Sequence, residues 1–303
     1  VLGFLKGYFC ANYKPTNLFM KNFLCLFSAL TLVLASCSND KDDNSVGSVD
    51  DSVGDVSVVL PKILKYVDIE NSSENATYIS TYNGNKILSI KDEAGRTDYT
   101  YDGNFIVKEI NYDTESIAGK DVISDVTVYS YVNGKLVESS YTEAYSTDFP
   151  NGQYKRRTVF SHNIDGTVKR EVYKTDCATG IEEKSNYVEV LTYTNGNLVK
   201  SVETNSETNS ETNSVFTATY EYDNKNNPLK NILGFSLLID HSEGEGSMSS
   251  VNNTVKYTAS HTVSAEPNVY KRELVYDEKG YPTKITNYKK DGVTVNLINE
   301  YTY

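Results

Sequence analysis

Along most of the chain apolar and polar residues alternate with a period of two, as in TVYSYV from Thr127 and VTVNLINEYTY from Val293. Such a period puts every second side chain on one face, so it predicts strands rather than helices. Asn-Gly and Asp-Gly pairs punctuate the alternation, and such pairs between alternating segments are the strongest short-range signal for a hairpin. One series reads YNGNKI at Tyr82, YDGNFI at Tyr101, YVNGKL at Tyr131 and YTNGNL at Tyr193. In each the tyrosine and the aliphatic five residues later bracket the turn, giving the pairs Tyr82–Ile87, Tyr101–Ile106, Tyr131–Leu136 and Tyr193–Leu198. A two-residue loop at Asn133-Gly134 sets Val132 opposite Lys135 and Tyr131 opposite Leu136, a cross-strand pair on one face.

A second series has a longer turn: HNIDG at His162, YDNKN at Tyr222 and YDEKG at Tyr276. Successive turns of the two series fall about 30 residues apart over most of the chain, an internal repeat. Further turn signals sit near the midpoints: DEAGR, SIAGK, DFPNG and CATGI, then SAEPN and KKDG. Reversals at this spacing leave no room for crossover helices. The fold expected is all-β, an antiparallel up-and-down meander of about 14 strands forming a curled or barrel-like sheet.

Two segments break the rhythm. ETNSETNSETNS, Glu203 to Ser214, is a three-fold tetrapeptide expected to form a polar loop or strand extension. PLKNILGFSLLIDH, Pro228 to His241, sets Leu229, Ile232 and Leu233 at helix-like spacing after a proline. A short helix or loop there would plug one end of the curled sheet.

The start of the chain carries a different pattern. MKNFLCLFSALTLVLASC, Met20 to Cys37, is a lysine, an apolar run and small residues leading to a cysteine. The run falls short of the roughly 20 residues a spanning helix needs, so it is an export signal. Leu34-Ala35-Ser36-Cys37 resembles the lipobox of bacterial lipoproteins, which implies cleavage before Cys37 and acylation of its thiol. Several acyl chains, at about 0.8 kcal/mol per buried methylene, anchor a protein stably. Residues 1–19 carry no organised signal and are expected to be an over-extended reading frame, with residues 20–36 the signal peptide. Residues 37–57 hold the lipidated cysteine and a Ser-, Asp- and Gly-rich stretch too polar to bury a core, a flexible acidic tether. Its Asp40-Lys41-Asp42-Asp43 resembles the surface-export signal of Bacteroidota lipoproteins, and Asp51-Ser52-Val53 resembles their O-glycosylation site, at Ser52. The repetitive β-hairpin domain is expected over 58–303.

The hairpin phrases resemble the YD repeats of RHS-type proteins. YDNKNNPLKNILGFSLL and LVYDEKGYPTKI are similar to uncharacterised surface lipoproteins of Bacteroidota built from such hairpins. Neither likeness carries a catalytic residue.

Charge and chemistry narrow the function. The chain has net charge −12, and the expected cleavage removes Lys6, Lys14 and Lys21 but no acid, leaving −15. That balance repels phosphate backbones, so nucleic acid is not expected as a partner. Of four cysteines only Cys177 follows the lipobox, so no intramolecular disulfide is expected. The three histidines lack metal-site spacing and no serine sits in a G-x-S-x-G elbow, so neither metal nor cofactor is expected. Asp240, Glu243 and Glu245 form the one candidate cation loop, suited to calcium. The 25 tyrosines, with no tryptophan beside them, fit a sheet whose rings are buried and whose hydroxyls reach a wet edge. A transmembrane barrel is disfavoured, because Ser130, Lys135, Ser139, Thr192 and Lys200, taken to face away from the tyrosines, are polar. These features together imply an outer-membrane, surface-exposed lipoprotein acting as a non-enzymatic binding or structural module. Its partners would be the membrane, through the anchor, and an extracellular glycan or protein. A glycan-acting hydrolase with carboxylates in the sheet groove is the alternative.

Overall fold

The computed structural model describes residues 58–303 except 116, 118, 144–151, 207–213, 240, 243–245, 248, 263 and 265. Cys37, Ser52, Asp240, Glu243 and Glu245 lie outside the described residues, as do the signal and tether.

The strands are β1 (Ile63–Asp68), β2 (Ala76–Asn83), β3 (Lys86–Lys91), β4 (Gly95–Asp102), β5 (Phe105–Asp113) and β6 (Val122–Val132). There follow β7 (Lys135–Glu143), β8 (Lys155–His162), β9 (Val168–Thr175), β10 (Glu182–Thr194), β11 (Asn197–Asn205) and β12 (Ser214–Tyr222). A long connection holding the two-residue strands β13 (His241–Ser242) and β14 (Gly246–Ser247) leads to β15 (Thr254–His261), β16 (Asn268–Tyr276), β17 (Pro282–Tyr288) and β18 (Val295–Thr302). Apart from the β13–β14 pair, these strands form one closed antiparallel barrel in meander order. β18 returns to β1 from Ile63↔Thr302 to Asp68↔Leu297, which leaves the sheet no unpaired edge.

The barrel has sixteen strands where the turn signals gave about 14. The two missed reversals lack a Gly-containing turn phrase. One is the stretch 69–75, which turns through a 3-10 segment at Ser72–Glu74. The other falls in the tetrapeptide repeat, where Asn205 pairs with Ser214 across β11 and β12.

The short turns take two backbone forms set by their sequence. Asn133 and Gly134 both have positive φ, as do Asn195 and Gly196, the pattern of a type I′ turn. In YNGNKI and YDGNFI only the first loop residue, Gly84 or Gly103, has positive φ, the pattern of type II′. All four hairpins then show the same irregularity. Register shifts fall between Thr81/Tyr82, Thr100/Tyr101, Ser130/Tyr131 and Thr192/Tyr193, so Leu88, Val107, Val137 and Val199 are bulged residues. The bulge at Val137 resets the alternation, and Ser139 pairs with Tyr129 on the inner face. Ser139 therefore does not share the outer face expected for it, whereas Ser130, Thr192 and Lys200 do.

One mouth of the barrel is apolar and filled. Ile87, Ile106, Leu136 and Leu198 are fully buried there. The connection from β12 to β15 folds across them through a 3-10 turn at Phe235–Leu237. Its Ile232, Phe235 and Leu238 pack with Leu60, Ile87 and Ile106. Gly234 lets the plug sit this low: its φ is +82°, and a Cβ would lie 3.1 Å from the carbonyl oxygen of Asn104. The Leu233 N–H donates to Asn85 O at 2.9 Å and the Tyr101 hydroxyl to Leu233 O at 2.9 Å, tying the plug to two hairpin turns.

Candidate functional site

At the apolar mouth the aromatic residues serve the backbone. The β5–β6 ladder ends at Lys108↔Val128, short of Ile106, and the Tyr131 hydroxyl donates to Ile106 O at 2.9 Å. The same relation recurs at Tyr222 to Leu198 O (2.7 Å) and Tyr303 to Pro282 O (2.9 Å). His162 takes the tyrosine's place on Leu136 O at 2.8 Å, and because a carbonyl only accepts, Nε2 carries the proton. Tyr82 reaches Pro61 O at 2.7 Å. These aromatics thus cap carbonyls that the sheet ladder leaves over, whereas Tyr101 donates to Leu233 O of the plug and Tyr276 to the Asp223 carboxylate. Burial pushes the phenols of Tyr82, Tyr101 and Tyr131 up to about 12. The cross-strand pairs Tyr82↔Ile87, Tyr101↔Ile106, Tyr131↔Leu136 and Tyr193↔Leu198 all face this interior. The pattern of tyrosines and aliphatics located them, but their caps join different hairpins and leave no trace in either phrase.

Deeper in, the inner wall turns polar. Thr97 Oγ1 donates to Asn111 Oδ1 at 2.6 Å, and Asn111 Nδ2 to Asp125 Oδ1 at 2.7 Å, a chain across β4, β5 and β6. Burial raises the Asp125 carboxyl, against the lowering effect of the Asn111 donor, and the neighbouring Glu143 raises it further. Glu143 is its cross-strand partner on β7. On β9 to β11 Arg170 Nη1 meets Glu189 Oε2 at 2.8 Å, and Ser201 donates to the other carboxylate oxygen. Arg272 projects inward among Tyr301, Tyr222 and Tyr220, and burial lowers its guanidinium to about 10. Tyr220, Tyr257 and Tyr270 stand in a row with ring centroids 5.3 and 5.8 Å apart. Tyr220 and Tyr257 are buried, so the row is wall packing rather than an exposed platform.

The outer wall carries ion pairs. Arg157 bridges Glu138 at 3.2 Å and Glu182 at 2.6 Å, with its guanidinium 4.3 Å from the Tyr173 ring centroid. Glu171 lies between Lys169 and Lys184, and Arg96 between Asp98 and Asp121. A lysine or arginine facing lipid near the bilayer midplane costs roughly 2–4 kcal/mol. The same wall also exposes Ile79, Leu88, Val128, Val132 and Val275.

Among the described residues the remaining candidates stand apart. His261 contacts Ser214 Oγ at 2.7 Å, and Cys177 sits half-buried in its turn. Among the described residues no group of three or more His, Cys, Asp or Glu converges to hold a metal.

No family model and no curated protein matches the chain. A solved structure of a porin-like protein from Bacteroides vulgatus superposes with TM-score 0.55 over 81% of this chain and 99% of that one, at 14% identity. The fold is a porin-like β-barrel. A porin-like protein from Bacteroides uniformis aligns over 80% of this chain and 97% of that one, at 14% identity and TM-score 0.41. At such identity the likeness is one of fold.

Proposed function

We propose that the protein is a lipid-anchored barrel that stands on the outer membrane rather than within it, exposed at the cell surface, and acts as a non-enzymatic binding or structural module. The observation that carries this reading is the charged outer wall on a porin-like barrel with one mouth plugged. Ion pairs on the outer wall would be costly against lipid, and Ile232, Phe235 and Leu238 fill one mouth. Attachment then falls to the lipobox cysteine, Cys37, with residues 38–57 as the tether and Ser52 as a glycosylation point. The inward-facing polar residues away from the plug are the surface left for an extracellular glycan or protein. Labelled palmitate should enter the parent chain and not Cys37→Ala, and protease added to intact cells should remove the parent. Retention of Cys37→Ala in carbonate-washed membranes would overturn the reading.

One observation supports a glycan-acting hydrolase instead. Asp125 is buried with its carboxyl raised, and Glu143 is paired beside it, the arrangement of a general acid next to a second carboxylate. Release of reducing sugar from a polysaccharide panel, lost in Asp125→Asn, would favour that activity over binding.

A further inference from the structure

Buried polar atoms in folded proteins are almost always hydrogen-bonded, and an exception calls for a reason. Two exceptions lie on the inner wall, on the two strands that flank β1. The Tyr78 hydroxyl and Asn299 Oδ1 are buried with no hydrogen-bond partner among the described residues, and Tyr78 as a whole is only 3% exposed. β1 runs between them: Leu64 pairs with Tyr78 on one side, and Tyr66 pairs with Asn299 on the other. Tyr78 and Asn299 therefore face inward with Tyr66, toward the mouth opposite the plug.

The surroundings are acidic. The charges of Asp92 and Glu74 act on Tyr78, and those of Asp68 and Glu74 on Tyr66. Two of these carboxylates are fixed in place. Asp68 Oδ1 accepts the N–H groups of Glu70 and Asn71, and Asp92 Oδ1 those of Ala94 and Gly95. An anion would be repelled here. A hard metal ion lacks a convergent ligand set among the described residues. An ammonium group fits: it offers three donors and one positive charge, and it is attracted by phenol faces.

We propose that this corner binds the ammonium group of an extracellular ligand. Tyr78 Oη and Asn299 Oδ1 accept its N–H donors, and Asp68, Glu74 and Asp92 supply the countercharge. The proposal deepens the binding-module reading and rests on it.

The test uses the full chain, with Nα-acetyl-lysine amide and glucosamine as probes. Nα-acetyl-norleucine amide, which keeps a lysine-like stem without any ammonium, is the control. Saturation transfer to at least one ammonium probe and none to Nα-acetyl-norleucine amide is expected. Binding should weaken about tenfold in Tyr78→Phe and in Asn299→Leu, the loss of one hydrogen bond to a charged group. A lysine response alone identifies a basic peptide as the source, and a glucosamine response alone an amino sugar. The ligand-free Tyr78→Phe protein should melt no lower than the parent, because its hydroxyl has no partner to lose.

A lower melting temperature for Tyr78→Phe, undiminished binding in both variants, or equal binding of Nα-acetyl-norleucine amide overturns the inference. So does the absence of binding by either probe, which would mean that the two atoms hold solvent only. A polysaccharide or protein array that reports a ligand while the ammonium probes fail sinks this inference and leaves the binding-module reading standing.

Discussion

Tyr131 shows why tyrosine rather than phenylalanine recurs at the hairpins. Its ring pairs with Leu136 across one turn, while its hydroxyl closes a carbonyl on the neighbouring hairpin. Tyr131→Phe keeps the packing and leaves Ile106 O uncapped, so the urea midpoint should fall by about 1 kcal/mol of stability. Leu136→Ala removes a fully buried side chain and should cost about 2–5 kcal/mol in the same titration. A hydroxyl deletion as costly as the leucine truncation would mean that the cap does more than one hydrogen bond accounts for.

At the scale of elements, the hairpin and the plug depend on each other. Bulges at Leu88, Val107, Val137 and Val199 twist each hairpin just inside its turn and end the ladder to the next strand early. Early ending creates the carbonyls that the aromatics cap, and it widens the rim in which the plug sits. Phe235 is the largest fully buried side chain and contacts Tyr99 at 5.8 Å between ring centroids. Phe235→Ala should cost about 3–5 kcal/mol and expose amides 229–238 to hydrogen exchange ahead of the strands. Exchange that rises equally around the barrel would instead make the plug part of one cooperative unit.

For the whole molecule, two properties follow from where charge lies. With ion pairs on its outer wall, the chain from Val58 onward should stay monodisperse without detergent, checked by light scattering. Its stability should also fall at both ends of the pH scale. Hydrogen bonds from Lys169 and Lys184 lower Glu171, and those from Arg157 lower Glu182. That stabilisation is present above the ordinary carboxylate range and is lost as pH falls through it. Asp125, raised by burial, works in the opposite direction and blunts the acid limb. The buried phenols of Tyr82, Tyr101 and Tyr131 sit near 12 against an ordinary 10.0, so the folded state favours their neutral form. Their contribution holds below pH 10 and is lost as pH rises toward 12. Melting temperatures across the scale should form a plateau bounded by both limbs. Tyrosine absorbance should show these phenols ionising together with unfolding.

How much was legible at each step depended on the reach of the interactions involved. The Asn133-Gly134 turn and the Tyr131 to Leu136 pairing were readable because they are local: backbone φ preference and a period of two are properties of neighbouring residues. The Pro228 to His241 plug was visible as an apolar break in the repeat. The stretch 69–75 was missed because it turns without glycine, and Ser139 was misplaced because a bulge changes the period by one residue without a sequence mark. Closure through Ile63↔Thr302, the caps between hairpins, and the placing of Tyr78 and Asn299 on either side of β1 were beyond the sequence. Each joins residues whose separation along the chain carries no periodic signal. The sequence determined that strands form and which faces are aromatic. Only the closed sheet decided which of those faces share an interior, because closure brings together side chains from strands that no local preference relates.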